Sequence, residues 1–256
     1  MTHESVDVQV IIQARMSSTR LPGKILAPFI GDYTVLEWII ERARSSNLVN
    51  RVVVATTTNP KDDETIAACI RSTCEYARGS EGDVLGRFEQ VVNEFPCKTI
   101  VHITADNPFF DLDEMNRLTE TLIENGLDYA NNHPAGLPLG TGIEAFNSEA
   151  FLKMAKMTDD PYDHEHVTPY FYNHTELFKQ TNLAPLELHT FAPNVRLTLD
   201  TPQDLQFLKE LTTRLNIVSS DKHPSTVGIL SFLQEHPEIV EINKGIVQKT
   251  FPVKKS

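Results

Sequence analysis

The sequence predicts an α/β domain with a mostly parallel central sheet, an inserted lobe and a C-terminal helical arm. Three observations carry that expectation. Short β-branched runs recur between amphipathic stretches along the N-terminal half, the helix starts between them are written in capping residues, and the alternation breaks after Asn131. Strands separated by helices at this spacing pair in parallel, because each crossover must pass over the face of the sheet.

Residues 8–12, Val-Gln-Val-Ile-Ile, read as the first strand, and residues 51–55 and 99–103 as two more. Their near-continuous apolar runs suit strands covered on both faces. Thr34-Val35-Leu36-Glu37 is a capping box ahead of Trp38, Ile39 and Ile40. Asp62-Asp63-Glu64 puts negative charge on the first turn of the next helix, where the helix dipole favours it. Asp83 opens a third helix, and residues 111–125 form a fourth, stopped by Gly126.

Residues 133–142 hold two prolines and three glycines and read as a loop. A short strand is expected at 143–147, helices at 148–157 and 164–174, and a strand at 177–183. A further strand at 195–199 runs into Thr201-Pro202, an N-cap followed by proline at the first helical position. From Lys222 two helical patterns follow, 226–234 and 237–242. The expected organisation is a domain over 1–221, with an inserted lobe at about 132–194, and an arm over 222–256.

The chain has 256 residues with 23 Lys and Arg against 35 Asp and Glu, a net charge of −12. So acidic a protein is poorly suited to duplex nucleic acid, whose phosphates demand clustered cations. A small anionic ligand needs only a few local ones. Cys69, Cys74 and Cys97 form no C-x-x-C pair, which argues against a zinc ribbon or a disulfide framework. Residues 1–7 are polar and acidic rather than signal-like, and no apolar run approaches the roughly 18 residues of a membrane span. A cytoplasmic protein with no membrane partner is expected.

Arg15, Arg20 and Lys24 share the loop Gln13-Ala14-Arg15-Met16-Ser17-Ser18-Thr19-Arg20-Leu21-Pro22-Gly23-Lys24, which leaves the C-terminal end of the first strand. Open parallel sheets bind ligands at that edge. Three cations with three hydroxyls and a glycine make a cradle for a polyphosphate. Asp106 and Asp200 each follow a predicted strand and so fall on the same edge, where paired carboxylates suit Mg²⁺ shared with substrate phosphates. Other motifs are set aside. Gly23-Lys24 lacks the rest of a phosphate-binding Walker loop. Gly140-x-Gly142-x-x-Ala145 follows a Pro-rich loop where a dinucleotide fingerprint needs a strand. Asp111-x-Asp113 resembles the metal motif of glycosyltransferases but is explained by helix-start chemistry. His164-Glu165-His166 lacks the i,i+4 spacing of a helical zinc site, and its histidines point to different faces.

The first loop, together with residues 79–87, 103–108, 163–170 and 196–202, resembles the sugar-acid cytidylyltransferases, which make CMP-activated KDO and sialic acids, and within them the spore coat polysaccharide biosynthesis protein F branch. The resemblance spans nearly the whole chain in five ordered motifs. It implies a Rossmann-like nucleotidyltransferase fold and transfer of CMP from CTP to a sugar acid or related oxygen acceptor, in polysaccharide or surface glycan biosynthesis. It further implies that Ala14, Arg15, Ser17, Arg20, Lys24, Gly79, Ser80 and Asp106 bind nucleotide, with Ser80 near the pyrimidine. Arg15, Lys24, Asp106 and Asp200 would carry catalysis, with Mg²⁺ on the two aspartates. The acceptor, a small anionic sugar, would meet Glu144 and His164. Here the chain departs from its relatives: a P-D-G-x-D-x-E loop has become Pro138-Leu139-Gly140-Thr141-Gly142-Ile143-Glu144, and His102 stands where arginine is common. The arm carries Ile229, Leu230, Phe232 and Leu233 on faces that must bury somewhere, against a partner or back on their own chain, and the resemblance to dimeric relatives implies a homodimer. Two rivals remain: a metal-dependent glycosyltransferase using a nucleotide-sugar donor, and a non-catalytic nucleotide-binding protein.

Overall fold

In the computed structural model, residues 3–132, 137–184, 195–220 and 222–248 are described. The sheet grows from β1 (Val6–Gln13), whose successive side chains enter opposite layers: Val10 and Ile12 join one core, Ile11 the other. A separate hairpin follows, β2 (Pro28–Ile30) with β3 (Tyr33–Thr34). α1 (Val35–Arg44) starts at the expected capping box, in which Thr34 and Glu37 exchange side-chain and backbone hydrogen bonds. Then come β4 (Arg51–Thr57), α2 (Asp63–Arg71), β5 (Glu75–Gly79) and α3 (Val84–Glu94), capped by Asp83. β6 (Cys97–Thr104) leads to α4 (Leu112–Glu124), which Asp111 caps and Gly126 ends with φ 54°.

The rest of the chain supplies β7 (Tyr129–Asn131), β8 (Glu144–Asn147), α5 (Ser148–Ala155), α6 (Pro161–His166), α7 (Pro169–Asn173), β9 (Gln180–Asn182), α8 (Pro202–Arg214), α9 (Thr226–Glu235) and α10 (Pro237–Val240). The seven-stranded sheet runs β5-β4-β1-β6-β8-β7-β9, and only the β8 pairings are antiparallel. The fold is therefore the expected α/β class with a mostly parallel sheet. Of the stretch expected as a lobe, 133–136 and 185–194 lie outside the described residues. The remainder enters the main sheet, with β8 pairing to β6 and β9 to β7.

Three expectations change. Residues 195–199 are buried throughout, the apolar Val195, Leu197 and Leu199 among them, but their partners are loops. They make one isolated bridge to Leu139 and one hydrogen bond from Leu199 N–H to the Asp106 carbonyl, so no ladder forms. The helix expected over 164–174 is two, because Val167 turns to φ 71° ahead of Pro169, which cannot continue a helix and instead starts α7. The arm's Ile229, Leu230 and Leu233 pack into the chain's own core, with Phe232 partly buried against it. The apolar faces that suggested a homodimer are thus satisfied within one chain. Among the described residues no helix is long and apolar enough to cross a membrane.

Candidate active site

A cleft of about 470 Å³ opens at the C-terminal edge of β1 and β6, between the cationic loop, the end of β6 and residues 198–200. The loop is held by local chemistry. Met16 N–H donates to Asp62 Oδ1 at 2.7 Å, Gly23 N–H to the Met16 carbonyl at 3.2 Å, and Gly23 takes φ 70°, which a glycine adopts without strain. The Ser17 hydroxyl donates to Glu81, and Asn59 Nδ2 donates to the other Glu81 oxygen at 3.0 Å. These two hydrogen bonds hold the Glu81 carboxyl below its usual range. They also tie the cationic loop to the turn after β5.

Lys24 is the centre of the site. Its Nζ lies 2.7 Å from Asp106 Oδ2 and 3.1 Å from Asp200 Oδ1. Arg20 Nη2 reaches Asp200 Oδ1 at 2.8 Å, and Arg196 Nη2 stands 3.5 Å from its other oxygen. Arg15 is exposed and, among the described residues, has no ion pair. Burial pushes the Asp106 carboxyl up, but the Lys24 ammonium and a hydrogen bond from Thr104 (2.6 Å) outweigh it, leaving the group below its usual range. The backbone at Asp200 is held by Asp204, whose carboxylate closes the capping box of α8 on the Thr201 N–H at 2.9 Å and also accepts the Asp200 N–H at 3.0 Å. Gly140 packs on this segment: with φ 98°, a Cβ there would fall 2.8 Å from Thr198 N.

The sites read from sequence divide. Arg15, Ser17, Arg20, Lys24, Asp106 and Asp200 all line the cleft. Ala14 is buried beneath it, donating its N–H to the Ala55 carbonyl. Gly79 and Ser80 stand back from the cleft lining in a turn gripped by Arg87, whose Nη1 donates to the Ser80 carbonyl at 2.7 Å. A Cβ on Gly79 would meet Arg87 Cγ at 2.8 Å, so glycine lets that side chain pack. His164 is not among the residues lining the cleft: its Nδ1 sits 2.7 Å from Asp83 Oδ1, while its neighbours Glu165 and His166 supply lining. Glu144 lines a small side pocket rather than the main cleft. Asp111 is buried at the start of α4, accepting the Asp113 and Glu114 N–H groups at 3.1 Å, so the D-x-D pair is a helix cap.

Sequence reasoning missed Asp62, read there only as a helix-dipole charge, and the arm. Asn243 Nδ2 donates to the Arg196 carbonyl (3.2 Å) and to Asp204 Oδ1 (3.0 Å), while Arg196 Nη1 donates to Gln248 Oε1 at 3.0 Å. Side-chain amides 47 and 52 residues from their partner leave no local signal.

An open, mostly parallel sheet with a cationic loop and converging carboxylates at its strand ends defines an α/β nucleotide-binding protein. The chain belongs, more particularly, to the cytidylyltransferase family, whose model matches residues 9–226. It is 36% identical over 211 residues to the spore coat polysaccharide biosynthesis protein SpsF of Bacillus subtilis, covering 80% of this chain and 86% of that one. It is 34% identical over 241 residues to an uncharacterized protein of Methanocaldococcus jannaschii, covering 94% and 96%. A cytidylyltransferase from Leptospira borgpetersenii superposes with a TM-score of 0.83 at 27% identity, over 97% of this chain and all of that one. The fold is shared with a CMP:2-keto-3-deoxy-manno-octonic acid synthetase complexed with CTP, at TM-score 0.63 and 16% identity, over 82% of this chain and 99% of that one.

Proposed function

We propose that the protein transfers CMP from CTP to a sugar hydroxyl, releasing pyrophosphate, in the synthesis of a polysaccharide. The observation that carries this reading is the convergence of Asp106 and Asp200 on Lys24 beside Arg20 and the unpaired Arg15. The likeness to SpsF supports the polysaccharide setting.

Arg15, Arg20 and Lys24 would hold the β- and γ-phosphates and neutralise the charge that builds on the leaving pyrophosphate. Such a displacement is mostly positioning and electrostatics. Asp106 and Asp200 present two hard oxygens that already converge on one ammonium, a donor set that fits Mg²⁺ completed by phosphate oxygens and water. When bound there, the ion would neutralise charge on the α-phosphate. The turn at 79–83, tied to the cationic loop through Glu81, would lie toward the base end of the nucleotide. The glycosyltransferase alternative loses its motif to the α4 cap.

Incubation with CTP, Mg²⁺ and sugar acceptors, assayed for pyrophosphate, tests the reading. Asp106→Asn or Asp200→Asn should lower turnover by about 10²-fold and leave the chain folded, since the exchange keeps the side chain's shape and each lost ion pair with Lys24 costs only about 1–1.5 kcal/mol. Asp113→Asn, on the exposed start of α4, should be silent. Near-normal turnover of either aspartate variant at limiting Mg²⁺ overturns the assignment.

A further inference from the structure

We propose that Gln248 and Asn243 of the C-terminal arm are positioning residues that hold Arg196 back from Asp200, keeping that carboxylate available to a divalent cation brought with CTP. The inference rests on the cytidylyl-transfer reading above and deepens it, giving a task to a segment beyond residues 9–226, which the family model matches.

The setting of Arg196 is the first ground. It is buried, and its guanidinium is divided among three partners. Nε and Nη2 meet the two oxygens of Asp204 at 3.2 and 3.4 Å, and Nη1 donates to Gln248 Oε1 at 3.0 Å. Asp200 Oδ2, 3.5 Å from Nη2, is its longest polar contact among the described residues. A guanidinium beside a carboxylate ordinarily closes to about 2.7–2.9 Å, because the charge shortens and strengthens the hydrogen bond. Here the planar fork is pinned by Asp204 at one edge and by Gln248 at the other, and turning onto Asp200 would break one of those bonds. The opposite oxygen, Asp200 Oδ1, meets Arg20 at 2.8 Å and Lys24 at 3.1 Å. Those two cations sit on the loop that a triphosphate would draw on. Arg196 belongs to the wall and stays, so its position decides how much of Asp200 is left for a ligand.

The anchoring of the arm is the second ground. Asn243 is buried, and its Nδ2 donates to the Arg196 carbonyl at 3.2 Å and to Asp204 Oδ1 at 3.0 Å. One amide thus fixes both the backbone that carries Arg196 and the carboxylate that receives it. Packing sets the segment in turn: α10 lies on α8, the helix that supplies Asp204, and its Ile239 enters the core. Ile246 N–H donates to the Asn243 carbonyl at 3.1 Å, and two residues further on Gln248 reaches the cleft, which it lines together with Thr198 and Asp200. Arginine is a donor only, so Gln248 must offer it the amide oxygen. Burial around Asn243 and Asp204 excludes competing water, which strengthens these bonds over their surface equivalents.

Mn²⁺ and CTP are sufficient probes, with no acceptor needed. Mn²⁺ affinity is read by electron paramagnetic resonance in the presence of CTP, CTP affinity by calorimetry without metal, and folding by thermal denaturation. Gln248→Met keeps the length of an exposed side chain and removes its oxygen. The released Nη1 turns to Asp200 and competes with the ion. Mn²⁺ affinity with CTP should fall about fivefold, the share of one hydrogen bond, while the melting temperature and the metal-free CTP affinity stay as they were. Asn243→Ser should lower it about tenfold, as loss of a support behind a metal ligand commonly does. In an Asp200→Asn background Gln248→Met should add nothing, because the carboxylate it acts through is gone. Three results overturn the proposal: unchanged Mn²⁺ affinity of Gln248→Met, an equal loss in the Asp200→Asn background, or a fall in metal-free CTP affinity, which makes Gln248 a direct nucleotide contact. If the unaltered protein binds no CTP, or Asp200→Asn leaves Mn²⁺ affinity with CTP unchanged, the cytidylyl-transfer reading falls and the proposal with it.

Discussion

If Asp106 and Asp200 hold the proposed divalent cation, Lys24 occupies its place, which leads to a prediction about the order in which the site assembles. Its ammonium contacts the two aspartates at 2.7 and 3.1 Å. At an effective dielectric near 20, each such contact is worth about 5 kcal/mol before desolvation. The open cleft and the cost of confining the ions leave about 1–1.5 kcal/mol each. A metal ion arriving alone must therefore give up about 2–3 kcal/mol, a factor of about 100 in affinity. A triphosphate removes that barrier by drawing Lys24 and Arg20 toward its own oxygens, so that CTP opens the site for the ion. Mn²⁺ titration followed by electron paramagnetic resonance checks this. The unaltered protein should bind Mn²⁺ weakly alone and about 100-fold more tightly with CTP. Lys24→Met should bind Mn²⁺ without nucleotide about 100-fold better than the unaltered protein, while its metal-free CTP affinity falls. Equal Mn²⁺ affinity of the two nucleotide-free proteins would refute the reasoning.

Two further outcomes follow from the geometry. Gly140→Ala places a methyl 2.8 Å from Thr198 N and 2.9 Å from the Leu197 carbonyl carbon at φ 98°; backbone cannot yield as a side chain would, so thermal denaturation should show a loss of about 1–3 kcal/mol together with weaker CTP binding, and an unchanged melting temperature contradicts this. The Asp83 hydrogen bond raises the His164 pKa above its ordinary 6.5. The pair therefore stabilises fully below about pH 6.5 and loses its effect as pH climbs through the raised value. In urea denaturation His164→Gln should cost about 0.5–1 kcal/mol near pH 5.5 and almost nothing near pH 9, and an equal loss at both would exclude the ion pair as the cause.

Local rules made the legible parts of this fold legible. The Thr34–Glu37 box, the Asp83 and Asp111 caps and the Thr201-Pro202 start each close within four residues, so sequence carries them whole. The strands at β1, β4 and β6 announce themselves because both faces are buried. β5 and β7 do not, since their pairing is set by neighbours far along the chain and their residues carry no long apolar run. The same division runs through the site. Arg15, Arg20, Lys24, Asp106 and Asp200 were visible because strand ends collect ligand-binding loops. What sequence could not say is that two of the cations rest on the aspartates. At His164 and His166 the i,i+2 spacing separates the two faces but cannot name the one toward the cleft. Asp83, 81 residues away, decides that by taking His164 for itself. The arm is the clearest case. Read alone, its apolar residues asked for a partner, and a second chain was one answer. Once α9 and α10 lie on the core, Asn243 and Gln248 arrive at Arg196, and through it the arm bears on Asp200. An element that looked like a dimer contact is thus part of the wall that holds Asp200 at the cleft.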